Sequence, residues 1–314
     1  ASIEVFDPAA GTSTNAGSLT TARSDFAVLP VGPAGAAADR LLVLGGRGAA
    51  GTLDRYEILA YDAGTSAWVT EATGSLLTAR SDFAAVRLSE ENDGDILVAG
   101  GRNTAGYRAA AEILAYDAAA HTLTSAPASP LNQARAHMRA VRLADGRALV
   151  VGGWNSAGAL ATAEMYRADT DTWQSTTMSA PRGYCGVAVL RDGRVLAAGG
   201  FGDAALDSVD VFNPYTSAWT LGAGPMNSVH YMHETLVLQN ADGTVVTCGG
   251  HSTTTFDPTV ETLNGAQMLP VVPAGEPSPW STVPVAGAPV VDELEWSHTL
   301  AGLPLQDGHT YAVQ

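Results

Sequence analysis

Only two cysteines, Cys185 and Cys248, stand in this chain of 314 residues, too few for a disulfide framework. Positive charge is also scarce: Lys+Arg number 16 against 32 Asp+Glu, a formal net charge of −16 at pH 7. That balance argues against nucleic acid or an anionic membrane surface as partner, because both carry the same sign. No apolar run reaches the ~18 residues of a membrane-spanning helix, and no stretch reads as a signal peptide, so membrane insertion is not expected. The chain opens at Ala1 without a methionine. We expect a mature bacterial protein, secreted to the extracellular space or periplasm and working as a monomer. What is plentiful is apolar residues, 46% of the chain, ample for a core.

Those apolar residues are arranged in a rhythm. Five Gly-Gly pairs close short apolar runs: Gly45-Gly46, Gly100-Gly101, Gly152-Gly153, Gly199-Gly200 and Gly249-Gly250. Successive pairs are 55, 52, 47 and 50 residues apart. A period near fifty is one small antiparallel sheet, so the chain predicts a ring of such sheets. Residues 135–173 show one unit clearly. An alternating strand enters from Arg135, Asp145-Gly146 makes a hairpin turn that needs positive φ, and Arg147–Val151 returns to the glycines. Ala163–Tyr166 and Asp171–Trp173 supply the third and fourth strands. Four strands joined by tight turns form one propeller blade. The glycines suit close approach of a neighbouring sheet. No helix pattern follows them, which removes the phosphate-loop reading.

These units resemble kelch repeats. The shared elements are an Arg before strand one, Gly-Gly after strand two, Tyr-Asp or Phe-Asp-Pro after strand three, and Trp on strand four. Here the third element is Phe6-Asp7-Pro8, Tyr61-Asp62, Tyr116-Asp117, Phe212-Asn213-Pro214 and Phe256-Asp257-Pro258, and the Trp is Trp68, Trp173 or Trp219. The resemblance implies an all-β, kelch-type propeller over residues 1–314 as a single domain. Counting along it gives six blades. Residues 1–15 begin with a third strand that has no first or second, and residues 296–314 end with a first and second that have no third. Together they are expected to close the ring in one composite blade, which removes the open sheet edge. Residues 264–295, rich in proline, break the rhythm and read as a long inserted loop, either a flap or an inert insertion.

The resemblance also implies that the entry to strand one and the loop after Gly-Gly lie on one face around the axis. Aligned units put Arg23, Arg80, Arg135, Arg182, His230 and Glu295 in one slot. Three residues on stand Phe26, Phe83, Met138, Cys185, His233 and His298, a slot expected to face the axis. His137 and Tyr184 precede it. After the glycines come Arg47, Arg102, Trp154, Phe201 and His251. The recurring arginines are expected to pair between blades, and Cys248 to be an inert core thiol.

The uneven histidines open three readings. One is a mononuclear metal site of His233, His298 and His137, with Tyr184 and Cys185 as catalytic residues. Copper is then the natural metal, and oxidation of a small molecule or peptide the natural chemistry. Copper radical oxidases of the galactose oxidase type carry a similar propeller. Arg182-Gly183-Tyr184 resembles their cross-linked tyrosine segment, and His233 and His298 resemble their histidine ligands. The second reading is a non-catalytic module presenting Arg47, Arg102, Trp154 and Phe201 to a peptide or glycan. The third is a metal-free sugar mutarotase using Glu295 and His298 as acid and base. Histidines at the His233 slot that only bond a neighbouring blade are the structural alternative.

Overall fold

The structure is a computed structural model that describes residues 2–7, 10–32, 40–89, 94–117, 119–222, 224–237, 243–252, 260–263 and 281–283. Every regular element among them is a strand. The first blade runs Ala27–Val31, Arg40–Leu44, Arg55–Asp62 and Ala67–Ser75, each strand antiparallel to the next. Blade 2 repeats this with Ala84–Arg87, Ile96–Ala99, Ala111–Asp117 and Thr122–Ala128. Blade 3 uses Arg139–Arg142, Ala148–Val151, Thr162–Arg167 and Thr172–Thr177. Blade 4 uses Gly186–Val189, Val195–Ala198, Val209–Asn213 and Ala218–Leu221. Blade 5 uses Glu234–Val237, Val245–Cys248, Val260–Leu263 and Ser281–Val283.

The described residues therefore hold five blades. A further hairpin, Ser2–Asp7 with Thr12–Ser18, lies beside the outer strand of blade 1 through a single parallel bridge, Gly17 to Trp68. Its strands fall largely within residues 1–15, which the sequence expects to share the closing blade. The expected C-terminal pair, residues 296–314, lies outside the described residues. The stretch 264–295 is corrected in one respect. Ser281–Val283 within it pairs with Val260–Leu263 as the fourth strand of blade 5, so it is not wholly a loop.

The second strand is buried at every residue from blade 2 to blade 5, and in blades 2 to 4 neighbouring blades cover both its faces. Its continuous apolar run follows from that. The core is accordingly a series of layers between blades. Leu42, Leu44 and Ile58 of blade 1 pack with Phe83, Ile96 and Val98 of blade 2, and Leu97, Ala99 and Ala111 of blade 2 with Met138 and Val150 of blade 3. The Tyr/Phe and Trp of the repeat face each other across strands three and four. Tyr61 pairs with Trp68, Tyr166 with Trp173 and Phe212 with Trp219, at ring-centre distances of 5.4, 4.9 and 5.1 Å.

The Gly-Gly pairs are the joints between blades. Gly46 N donates to Arg80 O at 2.9 Å, Gly101 N to Arg135 O at 2.8 Å and Gly153 N to Arg182 O at 2.9 Å. Gly45 and Gly46 have φ of 54° and 94°. A side chain on Gly45 would stand 2.7 Å from Arg80 O, and one on Gly46 2.6 Å from Ser24 O. Backbone on both sides leaves room only for glycine.

The slot arginines are corrected from links between blades to latches within one blade. Arg80 Nη1 donates to Gly100 O at 2.8 Å and Ala110 O at 2.9 Å, while Nη2 meets Glu112 at 2.9 Å, all in blade 2. Arg23–Glu57, Arg135–Glu164 and Arg182–Asp210 repeat the pair at 2.7, 2.6 and 2.5 Å. In blade 5 His230 takes the slot, with Nε2 at 2.9 Å from Ser228 Oγ and 3.4 Å from Glu261.

Candidate functional site on the axial face

Two residues after each latch the backbone turns left-handed. Asp25, Asp82, His137, Tyr184 and Met232 have φ of 53°, 55°, 58°, 54° and 58°. None is glycine, so each turn stores roughly 1 kcal/mol or more of strain. A ladder of backbone bonds links them from blade to blade: Asp82 N to Asp25 O, His137 N to Asp82 O, Tyr184 N to His137 O and Met232 N to Tyr184 O, at 3.1, 2.9, 3.0 and 2.9 Å. A ladder that visits successive blades must run around the axis. These five residues are the inner ring of the face.

The register expected from sequence was one residue off. The next slot does not face the axis. Phe83, Met138, Cys185 and His233 are buried between blades, packed on the glycines. Cys185, read as catalytic, is 1% exposed, and burial pushes its thiol pKa up. His233, read as a metal ligand, is also 1% exposed and packs against Gly199 and Gly250. Burial, then neighbouring His230, lowers its pKa to about 3, so it is neutral. His137 and Tyr184 are on the inner ring, and the structure does not bring His233 to them. Among the described residues no three of His, Cys, Asp and Glu come together as a metal-holding group. His298 lies outside the described residues. Cys248 is buried, and burial with nearby Glu234 raises its pKa to about 11.

The outer ring sits where expected. Arg47, Arg102, Trp154, Phe201 and His251 bridge to Ser24, Ser81, Ala136, Gly183 and Tyr231, the residue just before each inner-ring position. This ring divides into two sectors. All sixteen Lys and Arg side chains of the chain are arginines, and the rim slot holds one in blades 1 and 2, Arg47 and Arg102, and none in blades 3 to 5. Arg47 and Arg102 line one cavity of about 90 Å³ with Thr52, Ser81, Asn103 and Thr104. Arg47 is exposed and has no ion-pair partner among the described residues. Blades 3 to 5 carry instead a belt of rings. Trp154 stacks on Phe201 at 6.1 Å, Phe201 meets Tyr231 edge-on at 5.1 Å, and Tyr231 stacks on His251 at 5.5 Å.

Asp82 joins the two rings. Its Oδ1 is 3.0 Å from His137 Nδ1, its Oδ2 accepts from Ser81 Oγ at 2.9 Å, and Arg102 Nε is 3.6 Å away. Burial pushes the Asp82 pKa up, but the His137 and Ser81 hydrogen bonds and the Arg102 charge outweigh it, and the carboxyl is held below its usual range. Tyr184 stacks on His137 at 4.4 Å. Burial and the Asp82 charge raise its phenol to about 12, so it stays protonated. Sequence reasoning missed Asp25, Asp82 and Met232. The repeated Arg-Ser-Asp at 23–25 and 80–82, in register with His137 and Tyr184, was the available signal.

The model of the KLHDC2/KLHL20/DRC7 Kelch-repeats domain matches residues 34–250. The chain belongs to the kelch-repeat family. A search of curated proteins found no match. In this kelch chain the matched region ends at the last Gly-Gly, and contains the inner ring from Asp82 to Met232 and the outer ring from Arg47 to Phe201. The kelch propeller is a generic binding and interaction module, which the divided rim suits.

Proposed function

We propose that this kelch propeller is a binding module whose axial face takes a carboxylate-bearing peptide. The observation that carries the reading is the cavity between Arg47 and Arg102, with Arg47 free of an ion-pair partner among the described residues. Guanidinium forks suit carboxylate oxygens, and a charge-assisted bond of this kind contributes about 1.5–3 kcal/mol. The belt from Trp154 to His251 offers flat apolar surface beside it, suited to an aromatic or proline side chain. The net charge of −16 repels polyanions at long range, whereas a lone carboxylate feels the two nearby arginines most. The ligand class is therefore a peptide with one carboxylate and an apolar neighbour, rather than an acidic tract.

The test is a peptide array in which a single carboxylate is placed on a side chain, at the C-terminus, or nowhere. Retention of the carboxylate peptides is expected, with the positional arms showing which source is used. Arg47→Ala with Arg102→Ala should abolish retention while the far-ultraviolet spectrum is unchanged, and Trp154→Ala should weaken it about tenfold, the scale of one lost aromatic contact. Preference for peptides without a carboxylate, or retention untouched by the double substitution, would reject the reading.

A further inference from the structure

We infer that Asp82 and His137 make this carboxylate site proton-linked, admitting an anionic ligand when His137 carries a proton. The inference rests on the binding reading above and names its regulation. Asp82, a carboxylate of the inner ring, has His137 Nδ1 at 3.0 Å on one side and Arg102 Nε at 3.6 Å on the other. With His137 protonated, the imidazolium answers the Asp82 charge and Arg102 is available to a ligand. With His137 neutral, Arg102 is the only full positive charge beside Asp82 among the described residues and is held to it.

The other imidazole of the two rings, His251, stacks on Tyr231 in blade 5. Asp25 from blade 1 and Tyr107 from blade 2 are both close enough to act on Tyr184 of blade 4. Tyr184 stays a phenol, and Met232, from blade 5, carries no charge. Imidazole is the side chain whose charge ordinarily changes between pH 5 and 8. The backbone reinforces the arrangement, because Asp82 and His137 are locked in left-handed turns and joined by the bond from His137 N to Asp82 O at 2.9 Å. Arg47, outside this pairing, is an internal reference.

The test uses phenylglyoxal, which labels accessible guanidinium groups, with mass spectrometry reading the ratio of label on Arg102 to label on Arg47. In the native protein the ratio should fall about fivefold from pH 6 to pH 8.5, the scale of one partly exposed ion pair. It should be flat in His137→Asn. In Asp82→Asn it should be flat and high. Asparagine tolerates both left-handed turns, so the variants are expected to fold. A flat ratio in the native protein, or an unchanged fall in His137→Asn, overturns the inference. A parallel arm measures a single-carboxylate peptide by calorimetry at both pH values. Tighter binding at pH 6, lost in His137→Asn, supports the inference. Equal affinity through Arg47 and Arg102 overturns it. Proton-linked labelling with no peptide bound at either pH supports the linkage and rejects the binding reading instead.

Discussion

Blades 1 to 4 and blade 5 share one backbone plan and hold it with different chemistry. In the first four, a buried arginine clamps a carboxylate on strand three and two carbonyls of its own blade. In blade 5, His230 holds Glu261 with help from Ser228, whose N–H and hydroxyl both donate to that carboxylate. The slot that packs between blades differs as well: Phe83, Met138 and Cys185 before it, His233 in blade 5. A guanidinium keeps its charge at every working pH, whereas imidazoles do not. The latches of blades 1 to 4 are therefore insensitive to mild acid, whereas blade 5 carries a buried imidazole, His233, that is not.

The largest effect should come from removing an arginine latch. Arg135→Ala leaves Glu164 buried without its cation and should cost about 3–5 kcal/mol in denaturant unfolding. A loss below about 1 kcal/mol would mean the latches are interchangeable with the histidine version. Next is the acid response of blade 5. An unfolded histidine takes a proton below about pH 6.5, but folded His233 does so only near 3. The unfolded state therefore binds more protons in that window, and stability should fall by up to about 1.4 kcal/mol per pH unit as pH drops through it. Glu261, lowered by its His230 and Ser228 bonds against burial, adds to the loss at the acid end as it too becomes protonated. His233→Met, which installs the blade 3 residue, should flatten this slope. An unchanged slope would place the acid response elsewhere.

His230→Ala should cost less than the arginine change, about 1–2 kcal/mol, because Glu261 keeps three donors from Asn227 and Ser228. Hydrogen exchange of blade 5 amides against those of blade 2 would show whether the loss stays local. An effect of the same size should come from Trp173→Leu, which gives blade 3 the Tyr–Leu pairing that blade 2 already has between Tyr116 and Leu123. About 1–2 kcal/mol is expected from the lost ring contact and the Trp173 bond to Ser129 O, measured by thermal unfolding.

Much of the ring was legible in the residues themselves. Glycine pairs at a fifty-residue step, apolar second strands, the Asp145-Gly146 turn and the facing Tyr and Trp of strands three and four all act through local chemistry, and each appears where it was expected. The rim residues Arg47, Arg102, Trp154 and Phe201 follow each Gly-Gly and bridge to the entry segment of strand one. The inner ring was not legible. Its orientation depends on left-handed turns at Asp82, His137 and Tyr184, residue types that do not announce positive φ as glycine does.

By itself, then, the order of residues determined the repeat, the strand pattern, the glycine joints and the cationic and aromatic halves of the rim. Only the tertiary structure decided which neighbour each polar side chain meets. It turned the arginines inward to carboxylates of their own blade, buried Cys185 and His233 between blades, and set Asp82 between His137 and Arg102. The reason is one of distance along the chain. A strand or turn is specified within a few residues, but Asp82 and His137 stand 55 positions apart and meet only because two blades are packed side by side on the same axis.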